Sequence, residues 1–266
     1  MAKGKNAAKP QQMYLDELLF SQGFGTRRVC AGLIEQGLIQ VWQGDAAVDA
    51  PEADTVLTVS DPAQPDLPPV RVRLAGNDAR KGEGLDWPYA EHACILLNKP
   101  AGYECSQKPG AWPSIYTLLP APLRQRPHKN GLGVQAIGRL DQDTTGLLLL
   151  TDDGQLIHRM ASPKHHVPKI YQVGCKHPVT QAMVGKLLTG VVLEDDPRPV
   201  KAAACETTGE LSLALTLTEG KYHQVKRMIA AVGNRVETLH RSQIGRITLP
   251  ADLQPGQWMW IDPAQI

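Results

Sequence analysis

Gly138-Arg139-Leu140-Asp141-Gln142-Asp143-Thr144-Thr145-Gly146 stands directly before four consecutive leucines, Leu147 to Leu150, and Thr151-Asp152-Asp153-Gly154 closes the segment. A short apolar run bounded by turn formers reads as a strand buried on both faces. Such a strand holds its preceding loop firmly, as a reactive side chain requires. Asp141, beside Arg139 and ahead of the strand, is therefore the candidate nucleophile. Taken alone, an Asp-x-Asp turn is read more simply as two solvated turn residues, because Asp favours turns for local reasons. The surrounding sequence decides between the two readings.

Three further blocks follow the same order of ideas along the chain. They are Leu97-Asn98-Lys99-Pro100-Ala101-Gly102-Tyr103, Lys169-Ile170-Tyr171-Gln172-Val173 and Gly220-Lys221-Tyr222-His223-Gln224-Val225-Lys226-Arg227-Met228. Together with the Asp141 turn, these blocks resemble the RsuA-type pseudouridine synthases from about Cys94 to the C-terminus. The resemblance implies that Asp141 is the nucleophile, that Tyr171 stacks on the uracil and helps remove its C5 proton, and that Lys226 pairs with Asp141. It also implies that Arg139 fills the stack vacated by a flipped uridine. Lys99 either neutralises RNA phosphate or caps its strand, and Arg227 is a further basic contact. Ser162-Pro163-Lys164-His165-His166 and the run from Arg227 to Asn234 are most similar to the small-subunit branch of the family. The implied partner is ribosomal RNA, either 16S RNA or an assembling small subunit. A large-subunit (23S) enzyme of the same family is the first alternative. A non-catalytic S4-type RNA-binding or ribosome-assembly protein is the second.

A length of 266 residues and an apolar content of 42% suit a soluble protein of two domains. The five cysteines are odd in number, widely scattered and without a Cys-x-x-Cys pair, so neither a zinc site nor a disulfide framework is expected. Adjacent His165 and His166 cannot share a helix face and have no acidic or thiol partner at ligand spacing, so no metal is expected. Neither a P-loop nor a Gly-x-Gly-x-x-Gly motif occurs, and no cofactor is expected. No run approaches the roughly 18 apolar residues of a membrane span. Lys3, Lys5 and Lys9 precede no apolar core, so a signal peptide is not expected, and reduced thiols suit a cytoplasmic protein. A monomer is expected.

Net charge is only +1, but its distribution is uneven. Asp45 to Asp66 holds six acids and no Lys or Arg, whereas Ala121 to Thr180 holds eight bases against four acids. Glu219 to Arg246 holds six bases against two acids. Phosphate binding depends on where cations cluster.

Residues 1–12 read as a disordered tail. Leu15, Leu18 and Leu19, then Val29, Leu33 and Ile34, have the spacing of two amphipathic helices, with Gly37 ending the second and a strand following at Leu38. This pattern over 13–60 resembles the small S4-type RNA-binding module, with Arg27 and Arg28 as its phosphate contacts. Residues 61–90, rich in Pro and Gly, read as a linker or extension that includes the end of the first module, where Val70 to Leu74 alternates like a strand. A catalytic domain is expected over 91–266. Within it, Ala121 to Val134 reads as a basic, RNA-facing loop carrying Arg124, Arg126, His128 and Lys129, and Val191 to Lys201 as a polar excursion. Thr180 to Gly190 and His223 to Val232 read as helices, and Leu211 to Leu217 as a half-buried strand. Strands with a few helices between them, without regular β-α alternation, predict an α+β fold with a mainly antiparallel sheet. A glycoside hydrolase would also use two carboxylates, but these must lie on opposite sides of the bond, roughly 5 Å or more apart. One Asp-x-Asp turn supplies that poorly.

Overall fold

The computed structural model describes residues 11–59, 68–76, 84–128, 131–162, 165–193 and 196–266. These residues form two units: the chain up to Ala93 together with Pro120–Val134, and Cys94–Leu119 together with Gln135–Ile266.

In the first unit, β1 (Gln11–Tyr14) leads into α1 (Leu15–Ser21), and α2 (Arg27–Glu35) follows. Leu15, Leu18 and Leu19 are wholly buried, as the spacing predicts. The Thr26 hydroxyl accepts a hydrogen bond from the Val29 amide and starts α2. Gly37, in the left-handed region at φ 67°, follows its end. The buried face of α2 is Cys30 and Ile34, while Val29 is exposed. Spacing alone does not say which arc of a helix meets the core.

The strands β2 (Ile39–Gln43), β3 (Ala46–Ala47), β4 (Val56–Val59), β5 (Val70–Leu74) and β6 (Leu85–Pro88) complete this part of the unit. Four of them form a sheet in the order β3-β2-β5-β6, and β1 pairs with β4. Val70–Leu74 is the strand that its alternation suggests, and the linker expected over 61–90 is corrected at 85–88, where the chain also forms sheet. Trp87 is fully buried there and meets Phe24 edge to face, with ring centroids 5.5 Å apart. A four-residue strand ending in proline carries too little pattern to be read alone. Pro62, Pro65 and residues 77–83 of that expectation lie outside the described residues. So do residues 1–10 of the expected disordered tail, but Gln11 and Gln12 pair with Val59 and Thr58.

Strand β7 (Cys94–Lys99) opens the second unit, after which α3 (Ala121–Gln125), β8 (Pro127–His128) and β9 (Gly131–Leu132) belong to the first. The basic loop expected here is a helix and a hairpin, and Arg126 is 1% exposed. Its guanidinium donates to Gln22 Oε1 at 2.6 Å and to the carbonyls of Ala90 and Glu91 at 2.8 and 3.0 Å. A buried cation must be met by acceptors in this way, so Arg126 is a structural tie and not an RNA contact. Lys129 lies outside the described residues.

The second unit continues with β10 (Gln135–Ala136), β11 (Thr145–Thr151), α4 (Gly154–Ala161), β12 (Lys169–Cys175) and α5 (Gln181–Thr189). Then come β13 (Val191–Leu193), β14 (Asp196–Val200), β15 (Ala204–Gly209), β16 (Ser212–Leu217), α6 (Gln224–Ala231), β17 (Val236–Ile244), β18 (Ile247–Thr248) and β19 (Trp258–Trp260). The expected polar excursion after Gly190 contains the antiparallel hairpin β13–β14. A nine-stranded sheet runs β15-β16-β12-β17-β11-β7-β19, with β10 on β11 and β18 on β17. Every pair is antiparallel except β11 with β17. The α+β class and the mainly antiparallel sheet agree with the sequence reading.

Leu147 to Leu150 in β11 are all fully buried, facing Asn98 to Ile95 of β7. Burying such a side chain stabilises by roughly 2 kcal/mol, so these four leucines make β11 a firm base for the turn before it. The strand starts at the parallel pairing of this sheet, where Thr145 pairs with His240 and Gly146 with Arg241. Gly146 has φ 101°, and a Cβ there would stand 2.3 Å from the Arg241 carbonyl oxygen. Gly146→Ala should therefore destabilise the second unit by about 3 kcal/mol. A melting temperature lowered by roughly 6–12 °C checks this, and an unchanged one would mean that β11 is not laid on β17 in this way.

Candidate active site

The turn before β11 is closed by a hydrogen bond from the Thr144 amide to the Asp141 carbonyl at 3.1 Å. Lys99, at the end of β7, holds it from within. Its ammonium donates to the carbonyls of Pro100, Gln142 and Thr144 at 3.0, 3.2 and 2.8 Å. The Gly102 amide adds a bond to the Gln142 carbonyl at 2.8 Å. Lys99 has no exposed surface. Burial pushes its ammonium below the ordinary value, opposed by the charges of Cys105, Asp143 and Asp141 and reinforced by Lys226. Three donors meet three acceptors, so the ammonium is fully used. Of the two roles expected for Lys99, phosphate contact is corrected. The side chain caps its strand and clamps the turn.

Across the cleft, the start of α6 supplies the basic side chains that face this turn. His223 enters the helix in a left-handed conformation, φ 47° and ψ 34°. The Gln224 side chain braces the bend, accepting from the Lys221 amide and donating to Glu219 Oε1, both at 2.8 Å. His223 and Lys226 stand three residues apart and so share a helix face. His223 Nε2 lies 3.2 Å from Asp141 Oδ1, and Lys226 Nζ lies 3.2 Å from Asp141 Oδ2. The expected Lys226–Asp141 pair is present, but Lys226 also meets both Asp143 oxygens, at 2.6 and 2.9 Å. One ammonium bridges the two carboxylates. Burial alone would raise the Asp143 carboxyl, but the hydrogen bond and charge of Lys226, its own backbone amide and His223 outweigh it and hold it below the usual range. Burial likewise lowers Lys226, yet Asp143 and Asp141 together leave it above its ordinary value.

Asp141, Tyr171, Lys226, Arg139, Lys169 and Arg241 all line one cleft of about 690 Å³ in the second unit. Tyr171, only 9% exposed, sits on β12 between Leu215 of β16 and Arg241 of β17. Arg139 is exposed on the turn, and its charge draws the Glu104 carboxyl downward after the amides of Gly110 and Trp112 have done so. Arg227, half-buried, donates to the Tyr222 carbonyl at 3.0 Å and so steadies the approach to α6. Arg27 and Arg28 are exposed on α2 of the first unit, Arg27 being paired with Asp16 at 3.1 Å. Sequence reasoning missed His223 and Arg241. His223 was legible in principle from its three-residue spacing to Lys226, whereas Arg241 carried no local signal. Among the described residues, no three His, Cys, Asp or Glu side chains converge as a metal-ligand set.

The Asp143–Lys226 bridge has a defined pH window. A lowered carboxyl contributes stability above its unfolded value near 3.8, lost as pH falls through the folded value. A raised ammonium contributes below 10.5, lost as pH rises through its folded value. Both groups are partly exposed, so the contribution is under about 1 kcal/mol. The melting difference between wild type and Asp143→Asn should be small, flat over about pH 5–9, and should vanish in acid below about pH 3. A difference that changes across neutral pH would remove the bridge from this account.

The family of RNA pseudouridylate synthases matches residues 93–231. The ribosomal small subunit pseudouridine synthase A of Haemophilus influenzae is 42% identical over 184 residues, 69% of this chain and 76% of that protein. Its namesake in Escherichia coli strain K12 is 46% identical over 164 residues, 62% of this chain and 68% of its own length. A crystal structure of a pseudouridylate synthase aligns over 95% of this chain and 97% of that one, with 32% identity and a TM-score of 0.60. The match spans the turn, the β12 tyrosine and the start of α6 alike, and the chain belongs to the RNA pseudouridylate synthase family.

Proposed function

We propose that this protein isomerises a uridine of small-subunit ribosomal RNA to pseudouridine, acting as a cytoplasmic monomer on 16S RNA or an assembling small subunit. The observation that carries the reading is Asp141 on a clamped turn, fixed at both carboxylate oxygens by His223 and Lys226, in a cleft that also holds Tyr171. The names of the two small-subunit relatives support the choice of RNA.

In this reading the target nucleotide is extruded from its stack, at a cost of a few kcal/mol. Arg139, exposed beside the nucleophile, fills the space left behind. The Asp141 carboxylate forms a transient covalent bond to the nucleotide as C1′–N1 breaks. The uracil turns, C5 joins C1′, and Asp141 leaves. Tyr171 stacks on the base and helps take the C5 proton. His223 and Lys226 fix the direction of the carboxylate. Substrate and product are isomers, so the reaction needs no external oxidant or energy source. The first unit acts as an S4-like RNA-binding module through Arg27 and Arg28, while the second, Cys94–Leu119 with Gln135–Ile266, performs the chemistry.

Tritium release from 5-tritiated uridine in ribosomal RNA tests the chemistry. Asp141→Asn should fold and lose activity by on the order of 10³-fold or more. Lys226→Met, which leaves two facing carboxylates without their cation, should lose about 10- to 100-fold. Asp143→Asn should stay within about tenfold of wild type, because Lys226 and His223 still hold Asp141. Equal losses at positions 141 and 143 would point to a paired-carboxylate mechanism and sink this one.

RNA affinity measured across a salt series tests the first unit. Arg28→Ala should reduce the log–log salt slope by about one. Arg27→Ala should reduce it less, because Asp16 already meets that charge. Unchanged slopes in both variants would leave this unit without the phosphate contacts assigned to it.

A further inference from the structure

Arg241 is 2% exposed, yet it lines the catalytic cleft. Its Nε donates to the Leu147 carbonyl at 2.8 Å, which anchors the guanidinium to β11. Its Nη2 is buried and has no hydrogen-bond partner. Among the described residues, the other such side-chain atom is Thr144 Oγ1, which belongs to the same cleft. Buried polar atoms are paired in the great majority of cases, and each exception calls for a functional role or a partner from outside the chain. Two exceptions in one cleft mark it as a site built for polar atoms that arrive with the substrate.

The chemistry of the missing partner is narrow. A guanidinium donates only, so the partner must be an acceptor. The cleft also presents apolar side chains, including Leu217, Leu239 and Ile244, which suit the faces of a base. A backbone phosphate is tied to the polymer on both sides and stays at the mouth, whereas an extruded base can enter fully. Uracil offers two outward carbonyl oxygens, O2 and O4, and its N3 is a donor. Lys169, the neighbouring cation, already donates to the Val167 carbonyl at 3.1 Å.

We propose that Arg241 Nη2 donates to a carbonyl oxygen of the flipped uracil and seats the base in the cleft that Asp141 lines. The proposal rests on the uridine-isomerising function above and adds the residue that binds the base. Gly146 supports the placement. Its backbone is laid against that of Arg241 by the parallel pairing, so the start of the nucleophile's strand and the base-binding residue are fixed to each other.

The test uses single-turnover rates of the full-length protein on RNA with 2-thiouridine or 4-thiouridine at the position that wild type modifies in ordinary RNA. A thiocarbonyl is a weaker acceptor than a carbonyl. One of the two substitutions should slow wild type by about tenfold or more, the range of a charge-assisted hydrogen bond. In Arg241→Met that thio-RNA and ordinary RNA should react at the same rate, because the bond is already gone. Arg241→Lys, which keeps the charge but not the planar fork, should also lose most of the thio sensitivity. If neither thiouridine slows wild type, the proposal is overturned without recourse to any variant. It is equally overturned if Arg241→Met slows both RNAs and keeps the thio sensitivity, since the residue then acts only on the fold. A reduced salt slope with no thio effect would make Arg241 a phosphate contact instead. Failure of wild type to make pseudouridine in any ribosomal RNA would strike the parent function, an outcome separate from these.

Discussion

The catalytic unit depends on one buried ammonium. Lys99 ends a fully buried strand and gives its hydrogen bonds to three carbonyls, two of them in the turn that carries Asp141. Removing a charge from water is costly unless every bond it loses is replaced. The turn must therefore keep its carbonyls pointed inward for Lys99 to remain satisfied. That constraint turns the Asp141 and Asp143 side chains outward, toward α6. Position is achieved by the backbone of the turn, which leaves the Asp141 carboxylate to face His223 and Lys226.

The opposite wall works by a complementary rule. Asp141 and Asp143 would repel each other and any phosphate nearby, and Lys226 placed between them attracts both and eases that repulsion. Reaching that point requires α6 to begin abruptly, which the left-handed His223 and the Gln224 brace accomplish. A non-glycine residue at positive φ costs about 1 kcal/mol or more and persists where its surroundings over-determine it. Here the same residue places its ring nitrogen on Asp141. The strained backbone and the contact to Asp141 are one feature.

Elements whose pattern is local were legible in the sequence. Four leucines after turn formers gave β11, three-and-four spacing gave α1, α2 and α6, and strict alternation gave β16. Asp141, Tyr171 and Lys226 were legible as a set through the order of the blocks around them, and the structure brings all three to one cleft. What was not legible depends on distant partners. β6 is a strand because β5 pairs with it, and Trp87 is buried because Phe24 and Gln22 meet it. Lys99, Arg126 and Arg241 look in the sequence like any surface cation. Their burial follows from acceptors distant in the chain: Gln142 lies 43 residues from Lys99, Gln22 lies 104 from Arg126 and Leu147 lies 94 from Arg241.

Those three cations also change what the charge distribution means. Counting Lys and Arg along a segment treats each as a free charge in solvent, but Arg126 is spent on Gln22 and two carbonyls within the first unit. In the C-terminal basic segment, Arg241 is buried and Lys226 is opposed by two carboxylates. Buried cations keep their charge but cannot touch a phosphate directly, so fewer basic groups are free for such contact than the sequence tally suggests. Arg139 and Arg28 are among those that stay exposed. A cleft that holds buried donors discriminates by what can enter and complete them, and this suits an enzyme that must choose one uridine among many identical phosphates.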